Sequence, residues 1–180
     1  MILILAVAAA VLIVHWPVLN AQAVSFDDEA AIVYNPLVQN PGLDSVRRFF
    51  TEVRLSSVVR GYYRPLTLTS FMLDWAMGGR PEDFRVFHRT SLALHVGTTV
   101  LVVLLSYQLF GHPWVAALAG LLFGVHPMTV EPIAWVMERK TVLAGCFALA
   151  ALNAYVLYTR RPTRWGWFAA ALFFYLLSLL

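Results

Sequence analysis

The chain has 180 residues, of which 60% are hydrophobic and only 13% charged, with a mean hydropathy of +0.70; an ordinary soluble domain carries roughly 25% charged residues. A water-soluble fold of this length could not hide so much apolar surface, so the composition points to an integral membrane protein, and the apolar runs described next make its expected fold all-α. The formal charge of +3 comes from 13 basic and 10 acidic residues with no dense basic run, which argues against nucleic acid as a partner, and the single cysteine, Cys146, can form no internal disulfide.

Charge is absent from residues 1–26 and again from Thr90 to Val130, gaps that match the ~20 residues needed to cross a bilayer. The first apolar run reads as a transmembrane helix over 1–19, with Trp16 near its end as an interface residue. Ala21-Gln22-Ala23 resembles a small-residue cleavage site. The segment lacks a basic leader, however, and its apolar run is longer than that of a signal peptide, so an anchor fits better.

Residues 20–89 form a polar loop in which eight acids are balanced by eight arginines. Asp44 to Phe50 and Pro65 to Met77 read as two short helices, the second with proline in its first turn and Gly78-Gly79 at its end. Amphipathic helices this short suit the membrane surface. Further spans are expected at about 91–110, 114–125 and 141–158, with another from Trp165, making about five in all. The 114–125 stretch covers only ~18 Å at ~1.5 Å per residue. Its extension, His126 to Trp135, must therefore lie at the interface or line a cavity, the only settings that tolerate non-helical backbone at such depth. The 90–180 bundle stops at Leu180 inside an apolar run without a polar flank, so the chain reads as the front part of a longer protein.

Thr159 to Arg164 carries three arginines and no acid, which marks it as cytoplasmic. Counting back through the spans puts the N-terminus in the cytoplasm and both the long loop and the His126–Lys140 segment outside. A bacterial inner membrane is the expected setting.

Four groups of residues could carry chemistry. Asp27 and Asp28, followed by Glu29, come directly after a span with no basic neighbour for nearly twenty residues; such crowding beside a low-dielectric boundary is one way to prepare a carboxylate as a general base. A solvated acidic loop is the plainer alternative. Glu131 lies five residues after His126 in a proline-bounded segment, and ionisable groups at that depth are functional candidates by default, although the two could simply pair. Arg64, Arg139 and Lys140 suit a phosphate, arginine as a bidentate fork and lysine as a point charge; gripping lipid headgroups is the alternative. His88 and His95 share a helical face seven residues apart without a third ligand at a fitting spacing, which disfavours a metal site. Asp27 and Asp28 leave a divalent cation open as a cofactor.

In order along the chain stand Phe26-Asp27-Asp28 with Asn35-Pro36, Tyr63-Arg64-Pro65-Leu66, Phe87-His88 with His95, His126-Pro127 with Glu131, and Ala134-Trp135-Val136 with Glu138-Arg139-Lys140. This set resembles the membrane portion of the transmembrane and tetratricopeptide-repeat O-mannosyltransferases and their bacterial relatives, which belong to the GT-C glycosyltransferase superfamily. The resemblance implies a partial GT-C fold and a polyprenyl-phosphate sugar as donor, with mannose as the sugar of the family name. It further implies a protein or glycan acceptor, a catalytic aspartate in the first external loop (Asp27 or Asp28) and inversion at the anomeric carbon. It also implies helical repeats after the membrane domain, and none of the 34-residue type is present here. Thr141 stands where relatives often carry an acid after the Glu-Arg-Lys triplet.

The alternatives to a glycosyltransferase are a non-catalytic membrane scaffold, whose loop arginines bind lipid phosphates, and a transporter, which fits less well because the charges cluster in loops. The topology is directly testable: a cysteine introduced at Gln39 should react with an impermeant maleimide from the non-cytoplasmic side. Labelling from the cytoplasmic side alone would reverse the orientation.

Overall fold

The computed structural model describes residues 1–22, 28–52 and 63–180. Among them there is no strand, only an isolated bridge between Arg80 and Asp83. Helix α1 (Ile2–His15) runs on through a 3-10 segment to Asn20. The loop region holds a π-helical turn at Glu29–Val33 and the helices α2 (Pro36–Gln39), α3 (Leu43–Thr51) and α4 (Pro65–Ala76). Then come α5 (Arg85–Phe110), α6 (Pro113–Gly124), α7 (Val130–Ala134), α8 (Arg139–Arg160) and α9 (Trp165–Ser178).

Three stretches are long and apolar enough to cross a membrane: Ile2–Asn20, Arg85–Phe110 and Val136–Arg160. A fourth crossing arises if Pro113–Gly124 and Pro127–Ala134, bent by 56° at the break between them, act as one broken span. The fifth expected span corresponds to α9, which is apolar but has 14 residues and so covers ~21 Å, less than the ~30 Å hydrocarbon core.

α5 is the central element, packed against α1, α4, α6, α7 and α8. Gly111, at φ 69°, ends it in the left-handed conformation that glycine adopts without strain, and Pro113 starts α6 two residues later. Within the bundle Val7, Val103, Ala116 and Ala117 join α1, α5 and α6. Gln108 donates to Asn153 Oδ1 at 2.6 Å, and Asn153 donates on to the Leu101 carbonyl at 3.1 Å, so polar side chains bind α5 to α8 where lipid could not satisfy them.

The loop helices bury much of their apolar surface against protein, while Leu43, Leu73 and Met77 stay exposed. Val46, Phe49 and Phe50 of α3 and Leu68, Phe71 and Met72 of α4 turn inward. They meet Ile32, Leu37 and Val38 from the start of the loop, Phe84 and Phe87 at the head of α5, and Val136 and Met137 before α8. The amphipathic pattern was legible, but a protein surface competes for the same faces and takes up most of them.

The break between α6 and α7 is built around a glycine. The α6 helix ends at Gly124, and Pro127 two residues beyond Val125 prevents simple continuation, which leaves helix-end carbonyls without amide partners. The Gly124 carbonyl instead meets His15 Nε2 and His95 Nε2, each at 2.9 Å, with the two rings edge to face at 5.3 Å. Because a carbonyl only accepts, both Nε2 atoms serve as donors. A Cβ at Gly124 would run into Val11 Cγ2 and Thr99 Cγ2. Gly124→Ala should therefore lower stability by ~1–3 kcal/mol through overpacking, read as an earlier unfolding transition in detergent; an unchanged transition would show that α1 and α5 do not close on this glycine.

Candidate functional site

The head of α8 is where the long loop and the bundle meet. Asp28, 1% exposed, begins the helical turn that leads into Glu29–Val33. Its Oδ1 accepts a hydrogen bond from the Met137 amide at 2.9 Å, a contact across 109 residues. Met137 lies in the 3-10 turn Val136–Glu138 immediately before α8, where helix-start amides lack carbonyl partners and a carboxylate is the natural cap. The first loop is thereby tied to the segment containing Glu138-Arg139-Lys140.

Arg139, the first residue of α8, is fully buried. Its Nη1 meets Asp74 Oδ2 at 2.6 Å and donates to Ser70 Oγ at 3.1 Å; Nε donates to Ser91 Oγ at 3.1 Å, and Nη2 to the Phe87 carbonyl at 2.6 Å. The guanidinium also lies 4.8 Å from the centroid of the Phe71 ring. Thr90 donates to the other Asp74 oxygen at 2.6 Å. Burial pushes the Asp74 carboxyl up from its ordinary value, while the Arg139 charge and the Thr90 hydroxyl pull it back. Arg139, expected at a substrate phosphate, is thus committed to α4 and α5, and it does not line the adjacent cavity.

That cavity, about 660 Å³, opens beside the same helix head. Arg64 and Lys140 stand in its wall with Tyr63, Leu66 and Thr67 of α4 line it as well, and α8 and α9 contribute Leu143, Gly145 and Leu177 among others. Glu138 Oε1 meets Lys140 Nζ at 2.8 Å, and Thr141 donates to Glu138 Oε2 at 2.9 Å. Thr141 thus supports the carboxylate three residues before it. A Cβ added at Gly145 would meet nothing within 4 Å, so that stretch of the wall is open.

His126 and Glu131 are exposed on the bent segment. His126 Nδ1 accepts from the Met128 amide at 3.2 Å and caps the turn after the break; no ion pair joins it to Glu131 among the described residues. Asp27 lies outside the described residues. His88 is fully buried, facing the backbone of Ala21 and Ile133 without a hydrogen bond of good geometry. Among the described residues no group of three or more His, Cys, Asp or Glu side chains is placed to hold a metal ion.

Sequence reasoning passed over Asp74, Ser70, Thr90, Ser91 and His15. Asp74 was detectable: it is the sole charge in the apolar helix Pro65–Ala76, and a carboxylate on a buried face requires a cation. The hydroxyl residues gave no such signal, because serine and threonine are common on helix surfaces and only the fold shows which ones meet an arginine.

The chain is 36% identical over 111 residues to Protein O-mannosyl-transferase TMTC2 of Mus musculus, a match covering 59% of this chain and 13% of that protein. It is 33% identical over 157 residues to Protein O-mannosyl-transferase TMTC4 of Homo sapiens, covering 78% and 21%, and 32% identical over 163 residues to Protein O-mannosyl-transferase Tmtc1 of Drosophila melanogaster, covering 89% and 18%. No family model and no solved structure matches. The class is thus an integral membrane protein similar to glycosyltransferases. More narrowly, the chain is homologous, over most of its length, to the transmembrane and tetratricopeptide-repeat O-mannosyltransferases. It spans about a fifth or less of the length of these relatives. All three are animal proteins, so the comparisons lend no support to a bacterial inner membrane.

The Asp28 cap makes a prediction about stability. Asp28→Ala leaves the buried Met137 amide without its partner and should cost ~1–3 kcal/mol, whereas Asp28→Asn retains a carbonyl acceptor and should unfold within ~1 kcal/mol of wild type. Equal losses in detergent unfolding experiments would count against the contact.

Proposed function

We propose that this chain forms part of a GT-C-type membrane glycosyltransferase that moves a sugar, mannose by analogy with its relatives' names, from a polyprenyl-phosphate donor to an acceptor hydroxyl on the non-cytoplasmic side. The observation that carries this reading is the cavity in which Arg64 and Lys140 stand beside apolar faces of α8 and α9. A phosphate needs cations and a prenyl chain needs an apolar track, and both lie within one cavity.

In the proposed reaction Asp27 or Asp28 takes the proton of the acceptor hydroxyl as its oxygen attacks the anomeric carbon. The bond from that carbon to the phosphate oxygen breaks, and the electron pair leaves with the polyprenyl phosphate. Arg64 and Lys140 offset the charge that develops there. Attack opposite to the leaving group inverts the anomeric centre. His126 and Glu131, exposed on the bent segment, are proposed to contact substrate, and the acceptor is a protein or glycan. A divalent cation near Asp27 and Asp28 belongs to the same proposal. The orientation inferred from the arginine-rich connection, with the N-terminus cytoplasmic, puts both acidic and basic motifs on the acceptor side.

One observation favours the scaffold reading instead: Asp28 already serves as a backbone cap. Substitution separates the two. In membranes carrying the protein and supplied with polyprenyl-phosphate mannose, Asp27→Asn or Asp28→Asn should abolish transfer while expression and insertion persist. Arg64→Ala or Lys140→Ala should raise the donor KM by about tenfold, the equivalent of ~1.4 kcal/mol. Normal transfer by both asparagine variants would sink the catalytic assignment.

A further inference from the structure

We infer that Arg139 is a positioning residue for the proposed transfer site, with Asp74 as its required partner, and does not bind the substrate's phosphate. The inference rests on the functional reading above and adds to it a pair of residues that the reaction never touches.

The head of α8 carries both halves of the proposed chemistry on one short stretch. Two residues before Arg139, the Met137 amide holds the Asp28 carboxylate; one residue after it, Lys140 stands in the cavity wall. Lys140 and Glu138, which pair with each other at 2.8 Å, are only partly buried. The fully buried anchor of that stretch is the guanidinium, whose three nitrogens reach α4 through Ser70 and Asp74 and α5 through Ser91 and the Phe87 carbonyl. Asp74 is held in turn by Thr90 of α5, so the pair braces two helices against a third. With the side chain fully enclosed and its donors directed into protein, a phosphate cannot reach Arg139 unless this packing is undone.

A planar fork is what the arrangement uses, because its contacts lie in different directions around one group. A lysine preserves the charge near Asp74 but offers a single point of attachment. Arg139→Lys should leave the ion pair and loosen the helix head. A displacement of about 1 Å at a reacting group can lower turnover on the order of 100-fold; the expected loss in kcat for Arg139→Lys is on the order of 10- to 100-fold, with the donor KM within about twofold of wild type.

The test is steady-state transfer from polyprenyl-phosphate mannose by the full chain in membranes, with kcat expressed per folded molecule, for wild type, Arg139→Lys, Ser70→Ala and Ser91→Ala. The serine variants each lose one hydrogen bond, keep the ion pair and should show smaller losses in kcat at unchanged KM. A raised donor KM at constant kcat would make Arg139 a ligand and overturn the inference, as would wild-type turnover per folded molecule in Arg139→Lys. Hydrogen exchange at the Met137 and Glu138 amides supplies a readout independent of turnover: Arg139→Lys should exchange faster there than wild type, and equal exchange would overturn the inference. An inactive wild type would remove the functional reading, while the exchange comparison would still decide whether Arg139 sets the helix head.

Discussion

The ion pair between Arg139 and Asp74 organises this molecule. A fully buried charge is stable only when paired and hydrogen-bonded, and removing one member of such a pair typically costs ~3–5 kcal/mol because the other is left stranded. Here the strict demands of a guanidinium fix the meeting point of α4, α5 and α8. The apolar core of the loop then closes around it, with Phe71 against the cation and Phe87, Val136 and Met137 beside it. Packing alone tolerates sliding between helices; a planar group with partners in several directions does not.

From that junction the loop acquires its relation to the bundle. Residues 28–52 and 63–84 fold into a small helical cap whose apolar side rests on the heads of α5 and α8. The cap brings Asp28 to the turn before α8, and Arg64 to the cavity that Lys140 shares. Acid and cation, far apart along the chain, are gathered at one end of the bundle. That gathering is what a group transfer across a membrane surface would need, and it is why the loop and the Glu138-Arg139-Lys140 segment are best understood together.

Much of this was legible in sequence, and the limits have physical causes. The apolar gaps marked α1, α5 and α8, since nothing else explains such lengths without charge. Proline and glycine marked the ends of α4 and the break after Gly124. The destination of the amphipathic helices was not legible: Phe49 and Phe71 fit a lipid interface as well as a protein core, and only the presence of a partner surface decides. The role of Arg139 was hidden for a related reason. An arginine beside a lysine reads as an exposed pair, yet their side chains leave a helix about 100° apart, so one enters the core while its neighbour faces the cavity.

The break between α6 and α7 also involves the first helix. His15 sits near the end of α1 and reaches the Gly124 carbonyl together with His95, while Val11 closes against the same glycine. Were the chain cut near Ala21-Gln22-Ala23, it would lose one of two donors to that carbonyl and one wall of the junction, so what the first helix contributes to the bundle is a specific pair of side chains, His15 and Val11, and not apolar length alone.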